Sequence, residues 1–159
     1  EIYYKHSTDG GSSWETDTRL TSNSAVSKYS SVSVFGSVVY VVWNDNRDGN
    51  SEIYYKRSTD GGVSWGEDTR LTNASDVSAN PSVAVSGSVV HVVWNDNRDG
   101  NSEIYYKRST DSGENWEADT RLTNNANMSR YSSISVSGLV VHMVWEDNRD
   151  GNLEIYNKC

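Results

Sequence analysis

The sequence predicts an all-β fold, a β-propeller of four-stranded antiparallel blades. Three observations predict it. The string Glu-Ile-Tyr-Tyr-Lys opens the chain at Glu1 and returns at Glu52 and Glu103, a spacing of 51 residues. The chain is therefore three units, 1–51, 52–102 and 103–153, with a partial fourth over 154–159. A period near 50 residues marks solenoids, propellers or arrays. Val, Ser, Thr, Tyr and Asn dominate while Leu and Ala are scarce, a strand and turn composition. Each unit also holds four short apolar runs parted by clusters of Gly, Asp, Asn and Ser. A four-stranded sheet of that size buries its faces only by stacking on its neighbours, as blades do.

The second unit shows the elements in order. Glu52 to Arg57 alternates, with Ile53 and Tyr55 on one face and Tyr54 and Lys56 on the other, and reads as a strand, C. Ser58 to Ser64 is a turn, and Trp65 opens a short strand D that runs through Thr72. Asn73 to Asn80 is a polar loop. Pro81 to Val85 is strand A, with Pro tolerated as its first residue. After the Ser86-Gly87-Ser88 turn, Val89 to Trp94 is strand B. It is apolar on both faces, so the sheet is covered on both sides. Asn95 to Ser102 is the loop back to C. Separate β-sandwich domains are excluded, because one unit is too short for two sheets. The chain runs C-D, A-B-C-D, A-B-C-D, A-B-C, beginning and ending inside a blade. In a propeller the B–C and D–A loops share one face, and the A–B and C–D turns share the other.

Composition bounds the partners. A net charge of −8 argues against nucleic acid, which demands clustered Lys and Arg. No apolar run approaches the ~18 residues of a membrane-spanning helix, so no membrane insertion is expected. The single cysteine, Cys159, allows no internal disulfide. The first residue is Glu, so the chain reads as a processed or excised piece. An extracellular or cell-envelope location is expected.

The C–D turn carries one motif three times, Ser-x-Asp-x-Gly-x-x-Trp. Its residues are Ser7, Asp9, Gly11 and Trp14, then Ser58, Asp60, Gly62 and Trp65, then Ser109, Asp111, Gly113 and Trp116. A turn Asp accepts N–H groups of its own loop, Gly takes a positive φ, and Trp anchors the returning strand in the core. The motif resembles the Asp-box, or bacterial neuraminidase repeat, of sialidase-like propellers. The resemblance covers the whole chain. It implies a fold and not a catalytic residue, because the Asp-box of that family sits away from the active site.

The B–C loop repeats as well. Asp45, Arg47 and Asp48, with Asp96, Arg98 and Asp99 and with Asp147, Arg149 and Asp150, form a ring of like groups and are the candidate ligand-binding residues. The string is similar to repeats of periplasmic Tol-type propellers. Two readings stand side by side. One is a hydrogen-bonded hairpin with an internal Arg–Asp pair. The other is a calcium loop with oxygens from Asn44, Asn46, Asp48 and Glu52, from Asn95, Asn97, Asp99 and Glu103, and from Glu146, Asn148, Asp150 and Glu154. That set resembles the loops of integrin-type propellers, departing from them by Asn at the first and third positions. It fails the EF-hand pattern, since Tyr55 stands where a bidentate Glu is needed.

Repetition argues against catalysis, which needs groups of unlike role and unlike pKa. The Phe/Tyr-Arg-Ile-Pro signature of sialidases is absent. His6, His91 and His142 occupy positions held elsewhere by Arg or Tyr, so they are no metal set. Asn73-Ala74-Ser75 and Asn127-Met128-Ser129 fit the glycosylation sequon. The expected function is a non-catalytic scaffold whose polar loop face binds a ligand such as a carbohydrate. A fragment of a sialidase-like glycoside hydrolase is the alternative. The expected partner is the chain itself, as a homodimer closing a six-bladed ring or as a larger open array.

Overall fold

A computed structural model describes residues 1–159 as thirteen strands in four antiparallel sheets. The first sheet pairs β1 (Tyr3–Tyr4) with β2 (Thr18–Arg19). The second has the order β3 (Ser27–Phe35), β4 (Val38–Asp45), β5 (Glu52–Ser58), β6 (Thr69–Arg70). The third repeats it with β7 (Ser78–Ser86), β8 (Val89–Asp96), β9 (Glu103–Ser109) and β10 (Thr120–Arg121). The fourth holds β11 (Ser129–Ser137), β12 (Val140–Asp147) and β13 (Glu154–Lys158). The architecture is thus a C-D half, two complete blades and an A-B-C sheet, in the phase the sequence predicts.

Three apolar layers fasten neighbouring blades. Ile2 and Leu20 of the first sheet meet Val39, Val41 and Trp43 of the second. Val42, Ile53 and Tyr55 meet Val83, Val90 and Trp94 between the second and third. Val93 and Ile104 meet Ile134, Met143 and Trp145 between the third and fourth. Strand alternation explains the division, since Trp43 and Val42 point to opposite faces of β4. The A–B turns bond the C–D turns on one face, as Gly61 N–H donating to Ser37 C=O at 2.8 Å shows. The D–A segments bond the B–C loops on the other, where Ser78 N–H donates to Ser51 C=O at 2.9 Å.

Three expectations are corrected. Strand A starts earlier than Pro81: β7 begins at Ser78 and carries a bulge between Ala79 and Ser82. Asn80 there has a φ of 54°, and Tyr29 and Tyr131 have 55° and 54° at the matching bulges of β3 and β11. The bulge places Pro81 where no ladder N–H is required. Strand D is shorter, with only Thr69–Arg70 in the ladder. Trp65 stands in the segment before it, half-buried, its ring edge-on to Tyr4 at 4.9 Å. Finally, Trp14 is not in a core: it is 61% exposed. Each Asp-box Trp packs on the blade before its own, and the first has none before it in this chain.

The Asp-box turns themselves follow the expected chemistry. Asp60 accepts from Ser58 Oγ at 2.7 Å, Ser64 N–H at 2.9 Å and Ser64 Oγ at 2.5 Å. Gly62 lies at a φ of 95°, and a Cβ there would come within 2.5 Å of the Tyr4 ring, so both conformation and space call for glycine. Trp65→Ala is expected to cost about 2 kcal/mol, below the ~3–5 of a fully buried aromatic, because its ring is half-covered. An unchanged urea midpoint would remove its anchoring role.

Candidate functional site

The B–C loop and the strand ends beside it form one repeated polar network. Asp45, Asp96 and Asp147 end β4, β8 and β12 and are fully buried. Burial of a carboxylate is costly unless every oxygen is bonded. Here both oxygens are. Asp96 Oδ2 accepts from Trp94 Nε1 at 2.9 Å, Ser78 Oγ at 2.8 Å and Arg98 Nη2 at 2.6 Å. Its Oδ1 accepts from Arg98 N at 3.0 Å and Arg98 Nε at 2.8 Å. Trp43, Ser27 and Arg47 hold Asp45 in the same way, and Trp145, Ser129 and Arg149 hold Asp147. Trp and Asp are two residues apart on one strand, hence on one face, so the indole N–H reaches the carboxylate.

Arg47 and Arg98 are engaged from three sides. Arg47 pairs with Asp68 at 2.6 Å and lies 4.4 Å above the Tyr54 ring; Arg98 pairs with Asp119 at 2.8 Å and lies 4.5 Å above Tyr105. Lys56 and Lys107 reach the same Asp68 and Asp119, each at 2.9 Å. Asp48 and Asp99 accept from the hydroxyls of Tyr54 and Tyr105. The candidate ligand residues are thus gathered in one place in every blade, and most of their bonding capacity is used within the blade.

The calcium-loop oxygens are not gathered. Asn44 Oδ1 accepts from Asn80 N–H and Asn46 Oδ1 from Val26 N–H, while Asp48 meets Tyr54. Glu52 is buried under Thr72 Oγ1 at 2.5 Å and Arg70 Nη2 at 2.8 Å. The second set diverges likewise, with Asn95 Oδ1 accepting from Asn80, Asp99 on Tyr105, and Glu103 on Thr123 and Arg121. In the third, Glu146 meets Arg130, Asn148 accepts from Met128 N–H, Asp150 meets Tyr156 and Glu154 meets Asn152. No three His, Cys, Asp or Glu side chains converge as metal ligands would. Strand alternation is the cause, because Asn44 and Asp45 face opposite ways and Glu52 pairs across from Asp45.

Burial alone would raise the carboxyl of Asp45 and of Asp96. The bonds from Arg47, Ser27 and Trp43, and from Arg98 and Trp94, outweigh it and hold both below the usual range. Arg149 does the same for Asp147. Asp60 is held at about 2 by the bonds from Ser64 and Ser58, and Asp111 at about 2 by those from Asn115 and Ser109. His91, buried and facing Arg108, is held below its ordinary 6.5. All these groups are depressed in the folded state, so each contributes stability at high pH that is lost as pH falls. Stability is expected to be greatest between pH 6.5 and the ordinary tyrosine value of 10, above which the raised tyrosines such as Tyr105 lose their contribution, and to slip slightly as His91 protonates. It should then fall steeply from the ordinary Asp value of 3.8 toward 2. Urea midpoints across that range check the profile, and a midpoint that rises on acidification would contradict it.

The network borders a polar cleft of about 490 Å³ between the first and second blades. Arg19, Ser22, Asn23, Arg47, Lys56, Glu67 and Asp68 line it. Glu67 breaks the repeat, since Thr16 and Ala118 stand at the matching positions. Sequence reasoning missed Asp68 and Asp119 and the serines Ser27, Ser78 and Ser129. All recur at the 51-residue spacing, which was the available signal.

No family model and no curated protein sequence matches the chain. Solved structures do. A Trypanosoma rangeli sialidase in complex with sialic acid superposes with a TM-score of 0.63 at 16% identity, over 97% of this chain and 30% of that one. A Streptococcus pneumoniae NanB sialidase mutant gives 0.60 at 13% identity, over 92% of this chain and 24% of that one. The catalytic domain of a Coprinopsis cinerea GH62 α-L-arabinofuranosidase gives 0.54 at 15%, over 83% and 45%. The chain spans less than a third of the sialidase chains it matches. Over nearly its whole length it has the β-propeller fold of the sialidases.

Proposed function

We propose that this chain is a non-catalytic propeller segment, outside the cell or in its envelope, that binds a carbohydrate-class ligand on the B–C and D–A loop face. One observation carries the reading: the Asp–Arg–Trp–Ser network is the same in three successive blades, whereas a catalytic centre needs unlike groups. The cleft between the first and second blades supplies charged and amide groups of both hydrogen-bonding senses, which suits a polyhydroxylated ligand. The matched structures act on or bind sugars by their names, which supports the ligand class.

A hydrolase fragment is the second reading. The Tyr54–Asp48 and Tyr105–Asp99 pairs favour it as Tyr–carboxylate couples. Their titration runs the other way, because burial and the Asp99 bond push Tyr105 up to about 12, away from the phenolate a nucleophile needs.

A glycan array followed by calorimetric titration tests the proposal. Arg47 both lines the cleft and holds Asp45, so its loss would confound binding with stability. Glu67 lines the cleft and makes no hydrogen bond or ion pair that holds the blade, so Glu67→Ala separates binding from stability. It is expected to weaken binding about tenfold, or 1.4 kcal/mol, with an unchanged circular dichroism spectrum. Binding that ignores Glu67 would move the site, and turnover of fluorogenic sialosides would favour the hydrolase.

A further inference from the structure

We propose that two copies of this chain join by exchanging their first hairpins: β1–β2 of one copy completes the sheet begun by β11–β12 of the other, in the place of β13. The occupant is read from the molecule's own interior, where the same groove is filled twice. Trp65 packs edge-on against Tyr4 at 4.9 Å, and Trp116 against Tyr55 at 5.2 Å. The next tyrosine in the series, Tyr106, opens into an apolar groove of about 190 Å³ floored by Val93, Leu122, Ile134 and Met143. The remaining Asp-box indole, Trp14, is 61% exposed. Lys158 and Cys159 wall it as well and would leave with β13, and a second copy's Trp14 is the exposed Asp-box indole available to take their place.

Charge complementarity points the same way. Asp68 and Asp119 each join an arginine of the B–C loop to a strand C lysine. Their counterpart Asp17 holds Lys5 but no arginine, and Arg149 holds Asp147 but no strand D aspartate. Docking the hairpin in register brings Asp17 of the second copy to Arg149. Tyr3, 59% exposed, would then take the place beneath the guanidinium that Tyr156 of β13 holds at 4.2 Å, matching Tyr54 and Tyr105 of the interior blades.

β13 is a weak holder of its slot. Of its residues only Tyr156 is even half-buried. It carries Asn157 where the other copies have Tyr4, Tyr55 and Tyr106. Glu52 and Glu103 are fastened to their own strand D by an Arg and a Thr, and Glu1 is fastened to Arg19 and Thr21. Glu154 bonds Asn152 instead. The incoming hairpin therefore arrives with the lock that β13 lacks. Its arrival also covers apolar faces bare at the two ends, Val32 and Val34 on one and Val144 on the other. Burying such faces drives association. Each copy contributes three blades, and two copies related by a two-fold axis close a ring of about six, inside the known range of 4–8. The contact is a property of the repeat, and it is independent of the ligand reading.

Light scattering and sedimentation in reducing buffer, which prevents Cys159 cross-links, test it. At roughly 50 μM, well above a micromolar dissociation constant, the expected mass is twice 17.7 kDa. Trp14→Ala should raise the dissociation constant by about tenfold or more, as loss of a buried aromatic anchor does. Trp14 is exposed within one copy, so the far-ultraviolet spectrum of the variant should stay native. The charge reversal Asp17→Lys should act alike. Truncation after Leu153 should tighten the dimer, because the competing strand is gone. A monomer, a ladder of larger masses, a Trp14→Ala dimer of native affinity, or a dimer weakened by the truncation would each overturn the proposal.

Discussion

Trp94→Ala is expected to cost about 3–5 kcal/mol, enough to unfold much of a domain whose total stability is roughly 5–15 kcal/mol. Trp94 is fully buried between the second and third blades, in the layer with Val42, Ile53, Val83 and Tyr105. Its ring stacks 6.0 Å from Tyr105. Truncation removes that packing, leaves a cavity in a layer that strands on both sides hold open, and deprives Asp96 of its indole donor. Relaxation is limited because the same side chains define the spacing of two blades. Urea denaturation followed by tryptophan fluorescence reads the effect, and a loss under about 1 kcal/mol would mean that the layer collapses around the gap.

Asp96→Ala should be nearly as damaging, by about 3–5 kcal/mol, since removing one partner of a buried ion pair strands the other. Arg98 Nε and Nη2 and Trp94 Nε1 would lose their acceptor together, while Ser78 Oγ would keep Glu52 Oε2 at 3.2 Å. Arg98 keeps Asp119 at 2.8 Å, so its charge is not wholly unpaired, which places the expected loss toward the lower end. Asp150→Ala gives the contrast: Asp150 is exposed at the outer sheet, and its loss is expected to move the melting temperature little.

Most of the fold was legible because one repeat fixes it three times. The unit length, the strand order and the phase C-D, A-B-C-D, A-B-C-D, A-B-C all follow from the 51-residue spacing and from alternation in runs such as Glu52 to Arg57. The bulge at Asn80 was not legible. A left-handed Asn before Pro reads as the end of a loop, and only the pairing of Ala79 with Asn95 shows that the strand has already begun. The exposure of Trp14 was hidden for a different reason. Its motif is identical to the others, but burial depends on the tyrosine of a preceding blade, which is a tertiary fact. At the candidate site, Asp45 and Arg47 look like paired surface charges in the loop string. Their burial follows from the indole two residues back and from Ser27, which only the folded sheet brings near. The divergence of the candidate calcium oxygens was not legible either, because spacing along a loop does not show which face of the strand Asn44 and Glu52 take.

If the repeated Asp–Arg pair fastens the blade and is not a free binding or catalytic group, the two side chains must be coupled in stability. A double-mutant cycle on Asp96→Asn and Arg98→Met, read by equilibrium urea denaturation of the two single variants and the pair, measures that coupling directly. The predicted interaction energy is about 1–3 kcal/mol in favour of the native pair. Additive losses, with coupling below about 0.3 kcal/mol, would contradict the fastening role and return Arg98 to the surface as a free ligand-binding group.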